Sequence, residues 1–129
     1  MKYVIILWFT TVIYADISLV ATKSCSFKAI DTKSLETLFM KKNSTYKDIT
    51  VKVLDNSDIY DDFIIEYLKK VPTKLRIYWT RMIFTGTKKP PKKISQQELL
   101  RLHPNNNECI FTYTNKPLHD GWKKIDVIQ

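Results

Sequence analysis

The chain has 129 residues, 44% of them hydrophobic and 26% charged, a balance that fits one compact domain and excludes a disordered or multidomain protein. Two Gly and five Pro exclude collagen-like and low-complexity architectures, while three Trp, seven Tyr and six Phe supply large side chains to bury. Lys and Arg number 21 against 13 Asp and Glu, a formal charge of +8 that favours anionic partners over cationic ones and names none.

Met1 to Ala15 reads MKYVIILWFTTVIYA: a basic Lys2, an apolar run, and a small Ala15 before polar Asp16, the pattern of a secretory signal peptide. The run falls short of the roughly 20 apolar residues of a membrane span, so residues 1–15 are read as a removable signal and 16–129 as a soluble exported domain. In an oxidising compartment the even pair Cys25 and Cys109 either forms a disulfide or packs as two buried thiols. Neither belongs to a CxxC and no clustered His accompanies them, so no metal site is expected.

Ile17, Leu19 and Val20 predict a short buried strand that runs into the polar loop Thr22-Lys23-Ser24. Thr32 is read as the cap of a helix carrying Leu35, Leu38 and Phe39, closed by Lys41-Lys42. Alternation of Ile49, Val51 and Val53 with Thr50 and Lys52 predicts a half-buried strand. Ser57 then reads as the N-cap of a helix with Asp58, Asp61 and Asp62 in its first turns and Lys69-Lys70 at its end. Pro72 opens another helix, with Leu75, Trp79, Met82 and Ile83, that stops at Thr85-Gly86-Thr87.

Lys88 to Lys93 (KKPPKK) predicts a stiff, exposed basic linker. Ser95 and Glu98 form a capping box, stapled by Ile94 and Leu99, for a helix over 96–103. Ile110, Phe111 and Tyr113 predict a strand, and Trp122 to Ile128 a last one after the Asp120-Gly121 turn. This order predicts an α/β domain with a small central, mostly parallel sheet flanked by about four helices. Such sheets bind ligands beyond the carboxyl ends of their strands, which singles out Lys23 and Ser24 after the first strand and Asn56 and Ser57 after the second.

The run Tyr78-Trp79-Thr80-Arg81-Met82-Ile83-Phe84-Thr85-Gly86, followed by Pro90-Pro91-Lys92, closely resembles a signature of small exported phosphate ABC transporter substrate-binding-like proteins of bacteria. Thr32 to Lys42, Val53 to Leu68 and Asn105 to Tyr113 are similar to further segments of that family, so the likeness spans most of residues 16–128. The resemblance implies a single small domain of the type 2 periplasmic binding-protein-like fold, located in the periplasm. It also implies capture of phosphate or a related oxyanion and its presentation to a membrane transporter or sensor. Within the signature it points to Trp79, Arg81, Phe84 and Gly86, and it aligns Asn56 to Tyr60 with the anion-holding loop of larger relatives, where helix-end amides and hydroxyls take the oxyanion.

Each of these residues has a plain structural reading as well. Ser57 is explained by capping alone, Lys23 and Ser24 by solvation, Lys88 to Lys93 by solubility, and Trp79, Tyr78 and Phe84 by core packing at helical spacing. Arg81 is explained by a surface ion pair. Asp58 puts a carboxylate where an oxyanion would approach, which supports an alternative function: an interaction module with a decayed anion pocket that acts through its basic surface on an envelope protein. His103 and His119 stand apart from any catalytic or metal-binding pattern, so no enzyme and no cofactor are expected, and no nucleic-acid-binding motif is present.

Overall fold

The computed structural model describes residues 16–105 and 107–128; the signal peptide expected over 1–15 lies outside them. In chain order the elements are β1 (Ser18–Thr22), β2 (Ala29–Asp31), α1 (Thr32–Phe39), β3 (Thr45–Tyr46), β4 (Ile49–Asn56) and α2 (Tyr60–Glu66). There follow α3 (Pro72–Phe84), β5 (Lys92–Ile94), α4 (Gln96–Arg101), β6 (Cys109–Thr114) and β7 (Trp122–Ile128). All seven strands join one sheet, in the order β2-β7-β1-β6-β4-β3, with β5 paired to the far end of β4.

This sheet corrects the expected architecture. A periplasmic-binding-protein-like domain built on a central, mostly parallel sheet is not what forms: the sheet is mixed and curled into a half-barrel. β1 runs antiparallel to both β6 and β7, and β3 antiparallel to β4. Only β4 with β6, β4 with β5, and β2 with β7 are parallel. The physical reason lies in long-range pairing. Helices between strands permit parallel crossovers, but the C-terminal strands β6 and β7 clasp β1 from either side, and no local pattern announces that choice.

The curl encloses the main core. Leu19, Ala21, Val51, Val53, Phe111, Tyr113 and Ile125 point from the sheet toward buried residues of α1, α2 and α3. Phe39 is the hub, with its ring centroid 4.9 Å from Phe63, 5.6 Å from Phe111 and 5.8 Å from Tyr113, and Phe63 stacks on Tyr113 at 3.7 Å. The tilted contacts of Phe39 add about 1 kcal/mol each beyond apolar burial. Phe27, two residues before β2, meets Tyr46 of β3 edge to face at 5.0 Å. On the opposite side of the sheet, Val20, Leu54, Ile110 and Trp122 meet Ile94 and Leu99 in a smaller cluster beneath α4.

Local chemistry explains most element ends. Asp31, one residue before the expected cap, accepts the Ser34 N–H at 3.0 Å and so starts α1; the Ser34 side chain first, and its N–H second, hold the carboxyl below the usual range. The capping box of α4 forms, with Ser95 Oγ accepting the Glu98 N–H at 3.1 Å. Two expectations need correction. Ser57 caps no helix: its N–H and its Oγ both donate to the Ile94 carbonyl, at 2.8 and 3.2 Å, and α2 starts only at Tyr60. The basic linker is exposed only in part, because Pro91 and Ile94 are buried and residues 92–94 add a strand to β4. Consecutive prolines favour an extended backbone, which a strand accepts as readily as a solvated linker does.

Candidate functional site

The two loops singled out as ligand-binding lie at opposite ends of the sheet. β1 is antiparallel to β6, which is parallel to β4, so the carboxyl ends of β1 and β4 point in opposite directions. Lys23 follows Thr22 near the level of Cys109, while Asn56 lies near the level of Thr114, and five strand residues separate these levels by roughly 16 Å. Lys23 and Ser24 therefore share no cleft with Asn56 and Ser57.

Lys23 and Ser24 line a hollow of about 410 Å³ with His103, Asn105 and His119, but the hydroxyls of both loops are bonded within the protein. Ser24 Oγ donates to the Glu108 carbonyl at 2.5 Å, and Thr22 Oγ1 accepts the Ile110 N–H at 3.0 Å. Cys25 and Cys109 are joined by a disulfide with Cα atoms 4.8 Å apart, which ties this loop to the start of β6. Lys123 Nζ donates to the Cys25 carbonyl, and its ammonium is held below the usual lysine range by partial burial and by Lys28. His119 receives the Gly121 N–H at Nδ1 (3.2 Å) and places Nε2 2.9 Å from the Leu102 carbonyl, so both ring nitrogens are engaged. His103 stacks on it at 5.2 Å.

At the other end Asn56 is fully buried. Its Nδ2 donates to Gln96 Oε1 (2.7 Å) and to the Tyr113 carbonyl (3.2 Å), and its Oδ1 accepts the Asp58 N–H at 3.1 Å. Asp58 in turn accepts the Gln96 N–H at 2.8 Å. The adjacent hollow, about 290 Å³, is lined by Ser57, Tyr60, the carboxylates of Asp58, Asp61 and Asp62, and by Arg76 and Lys93. Three acids against two cations repel an oxyanion.

Asp55, next to Asn56 in β4, is buried beside the Tyr113 hydroxyl, which donates to it at 2.9 Å. Burial raises the Asp55 carboxyl to about 7, against the lowering pull of the Tyr113 hydroxyl, Lys93 and Lys41. Burial, helped by Asp55, raises the neighbouring Tyr60 to about 12, and the same two causes push Tyr113 up as well.

Of the signature residues, only Trp79 lies in the core, edge-on to Tyr78 at 5.1 Å. Arg81 is exposed and, among the described residues, has no carboxylate within ion-pair distance. Phe84 is 92% exposed, so core packing does not explain it. Gly86 follows α3 at φ +70°, where its lack of a side chain removes the strain.

What the fold does bring together is lysine. A groove of about 480 Å³ between the end of α1 and the α2–α3 junction is bordered by Lys42, Lys69, Lys70 and Lys74, with Met40, Val71, Leu75 and Tyr78 as its floor. A second hollow of about 500 Å³ shares Lys42 and adds Lys41, Lys88 and Lys89 beside Asn43 and Ser44. Lys88 joins the two, its Nζ donating to the Met40 carbonyl at 3.1 Å and lying 5.4 Å from the Tyr78 ring centroid. Glu36 pairs with Lys70 at 3.3 Å and Lys42 at 3.6 Å, leaving most of the positive charge uncompensated.

The backbone is strained at two of these lysines. Lys41 and Lys69 adopt left-handed φ of 59° and 54° just beyond α1 and α2, positions that glycine fills at less cost. Sequence reasoning named a basic surface but not its place: between Glu66 and Glu98 the chain carries nine basic residues and no acidic one, while the joining of Lys69, Lys70 and Lys74 to Lys41 and Lys42 is set by the fold. Among the described residues no group of three or more His, Cys, Asp or Glu could hold a metal ion, and no helix is long and apolar enough to cross a membrane. No protein-family model matches the chain, and no curated protein matches it.

Proposed function

We propose that the chain is an exported, non-enzymatic interaction module whose lysine-lined surface takes the anionic groups of an envelope partner. The observation that carries this reading is the convergence of Lys41, Lys42, Lys69, Lys70, Lys74, Lys88 and Lys89 from three parts of the chain onto two contiguous grooves. Strained backbone at Lys41 and Lys69 supports it, because a lysine kept where glycine is more stable points to a role for the side chain. The grooves are open and contiguous and carry several lysines each, which suits a row of carboxylate or phosphoryl groups better than a single oxyanion. The disulfide is compatible with export. Presentation of captured phosphate to a transporter finds less support, since the Ser24 and Ser57 hydroxyls and the Asn56 side-chain amide already have partners in the protein.

Calorimetric titration of residues 16–129 with inorganic phosphate and with poly-glutamate tests the reading. Poly-glutamate is expected to bind in a salt-sensitive manner and phosphate to give no heat. Lys69→Glu/Lys74→Glu/Lys89→Glu is expected to weaken poly-glutamate binding tenfold or more, because three exposed cations on the grooves are reversed. Stoichiometric phosphate binding, or a triple variant that binds poly-glutamate like the parent, overturns it.

A further inference from the structure

Helix α3 is apolar on two opposite sides. At about 100° per residue, Leu75, Trp79 and Met82 share the side packed into the core, while Ile77, Thr80 and Phe84 fall on the side turned away from it. Phe84 is 92% exposed and Ile77 60%, and with Thr80 they border a shallow hollow on the outer surface. Arg76 and Arg81 frame this apolar ridge from its two flanks, and Lys74 and the lysine grooves continue the positive charge beyond Arg81. No acidic residue occurs anywhere between Glu66 and Glu98, so the helix and the segment after it carry positive charge alone.

We infer that the outer face of α3 docks onto an anionic lipid bilayer, with Phe84 and Ile77 entering the headgroup boundary and Arg76, Arg81 and Lys74 meeting lipid phosphates. Charge complementarity selects this occupant: a convex apolar ridge bracketed by cations matches the arrangement of interfacial helices, whose apolar side chains insert while basic ones stay among the headgroups. Asp58, Asp61 and Asp62 line the separate hollow beyond Arg76, next to the end of β4. They are repelled by an anionic surface, which tilts the contact toward Arg81, Phe84 and the lysines. This inference goes beyond the poly-anion reading, because its recognition element is the apolar ridge rather than the grooves.

The test is co-sedimentation of residues 16–129, the expected mature chain, with vesicles of phosphatidylcholine alone and of phosphatidylcholine with 30% phosphatidylglycerol. The parent protein is expected on the anionic vesicles and not on the neutral ones. Ile77→Ser/Phe84→Ser is expected to reduce the bound fraction tenfold or more, since both side chains are exposed in the free protein and their burial supplies the apolar part of the affinity. The same variant should keep its melting temperature and its poly-glutamate binding. Failure of the parent to bind anionic vesicles overturns the inference, as does equal binding by the double variant. Concentration-dependent dimerisation that the double variant abolishes also overturns it, by showing that a second copy covers the ridge.

Discussion

Asp55 shows how one side chain can govern the response of the whole protein to pH. In the unfolded chain its carboxyl ionises near 3.8; in the folded protein burial delays ionisation to about 7. Between these values the unfolded state gains by losing its proton and the folded state does not. Stability from this group is therefore full below about pH 4, falls as pH rises through that window, and levels off above about 7, with a total loss of about 4 kcal/mol. Chemical denaturation from pH 4 to 8 should show this fall. Asp55→Asn keeps an acceptor for the Tyr113 hydroxyl and carries no charge, so it should flatten the profile and stabilise the protein by about 2 kcal/mol at pH 8. A parent profile that rises across this window would contradict the assignment.

Helix ends offer a controlled comparison at the scale of elements. α1 and α3 close with the same pair of hydrogen bonds: Lys42 N–H to Thr37 O and Lys41 N–H to Leu38 O in one, Thr87 N–H to Met82 O and Gly86 N–H to Ile83 O in the other. The left-handed residue is Lys41 in α1 and Gly86 in α3. A Cβ on Gly86 meets nothing within 4 Å, so Gly86→Ala isolates backbone strain and should destabilise by about 1 kcal/mol. Lys41→Gly should do the reverse, raising stability by about 0.5–1 kcal/mol while weakening poly-glutamate binding. Urea denaturation curves of the two variants measure both effects; a destabilised Lys41→Gly protein would show that the Lys41 side chain supports the fold rather than the surface.

On the scale of the molecule, the Cys25–Cys109 bridge closes a loop with a sequence separation of 84 and fastens the β1 loop to the start of β6. Constraining so long a loop in the unfolded chain is worth about 4 kcal/mol on the chain-entropy model. Cys25→Ala/Cys109→Ala should therefore lower the melting temperature by more than about 10 °C, read by circular dichroism. Poly-glutamate binding measured well below the new transition should be unchanged, because the lysine grooves are formed by α1, α3 and the segments beside them. Loss of binding in this variant would tie the grooves to the bridge.

Periodicity and caps were sufficient to place β1, β4, α3, α4, β6 and β7 near their observed bounds, because these depend on neighbours within a few residues. The short strands β2, β3 and β5 escaped, since two or three residues carry no period and become strands only when β7 or β4 lies alongside. Charge was legible too: the acid-free stretch between Glu66 and Glu98 is a property of composition alone. Three things were left to the tertiary structure. It decided that β1 is clasped by β6 and β7 in the antiparallel sense, which sends Lys23 and Asn56 to opposite ends of the sheet. It turned Phe84 outward from a helix whose two sides are both apolar, and it gathered lysines distant in sequence onto one surface. Local chemistry fixes what each segment prefers to be, but which segments pair and which apolar face is covered are settled only when the whole chain competes for one core.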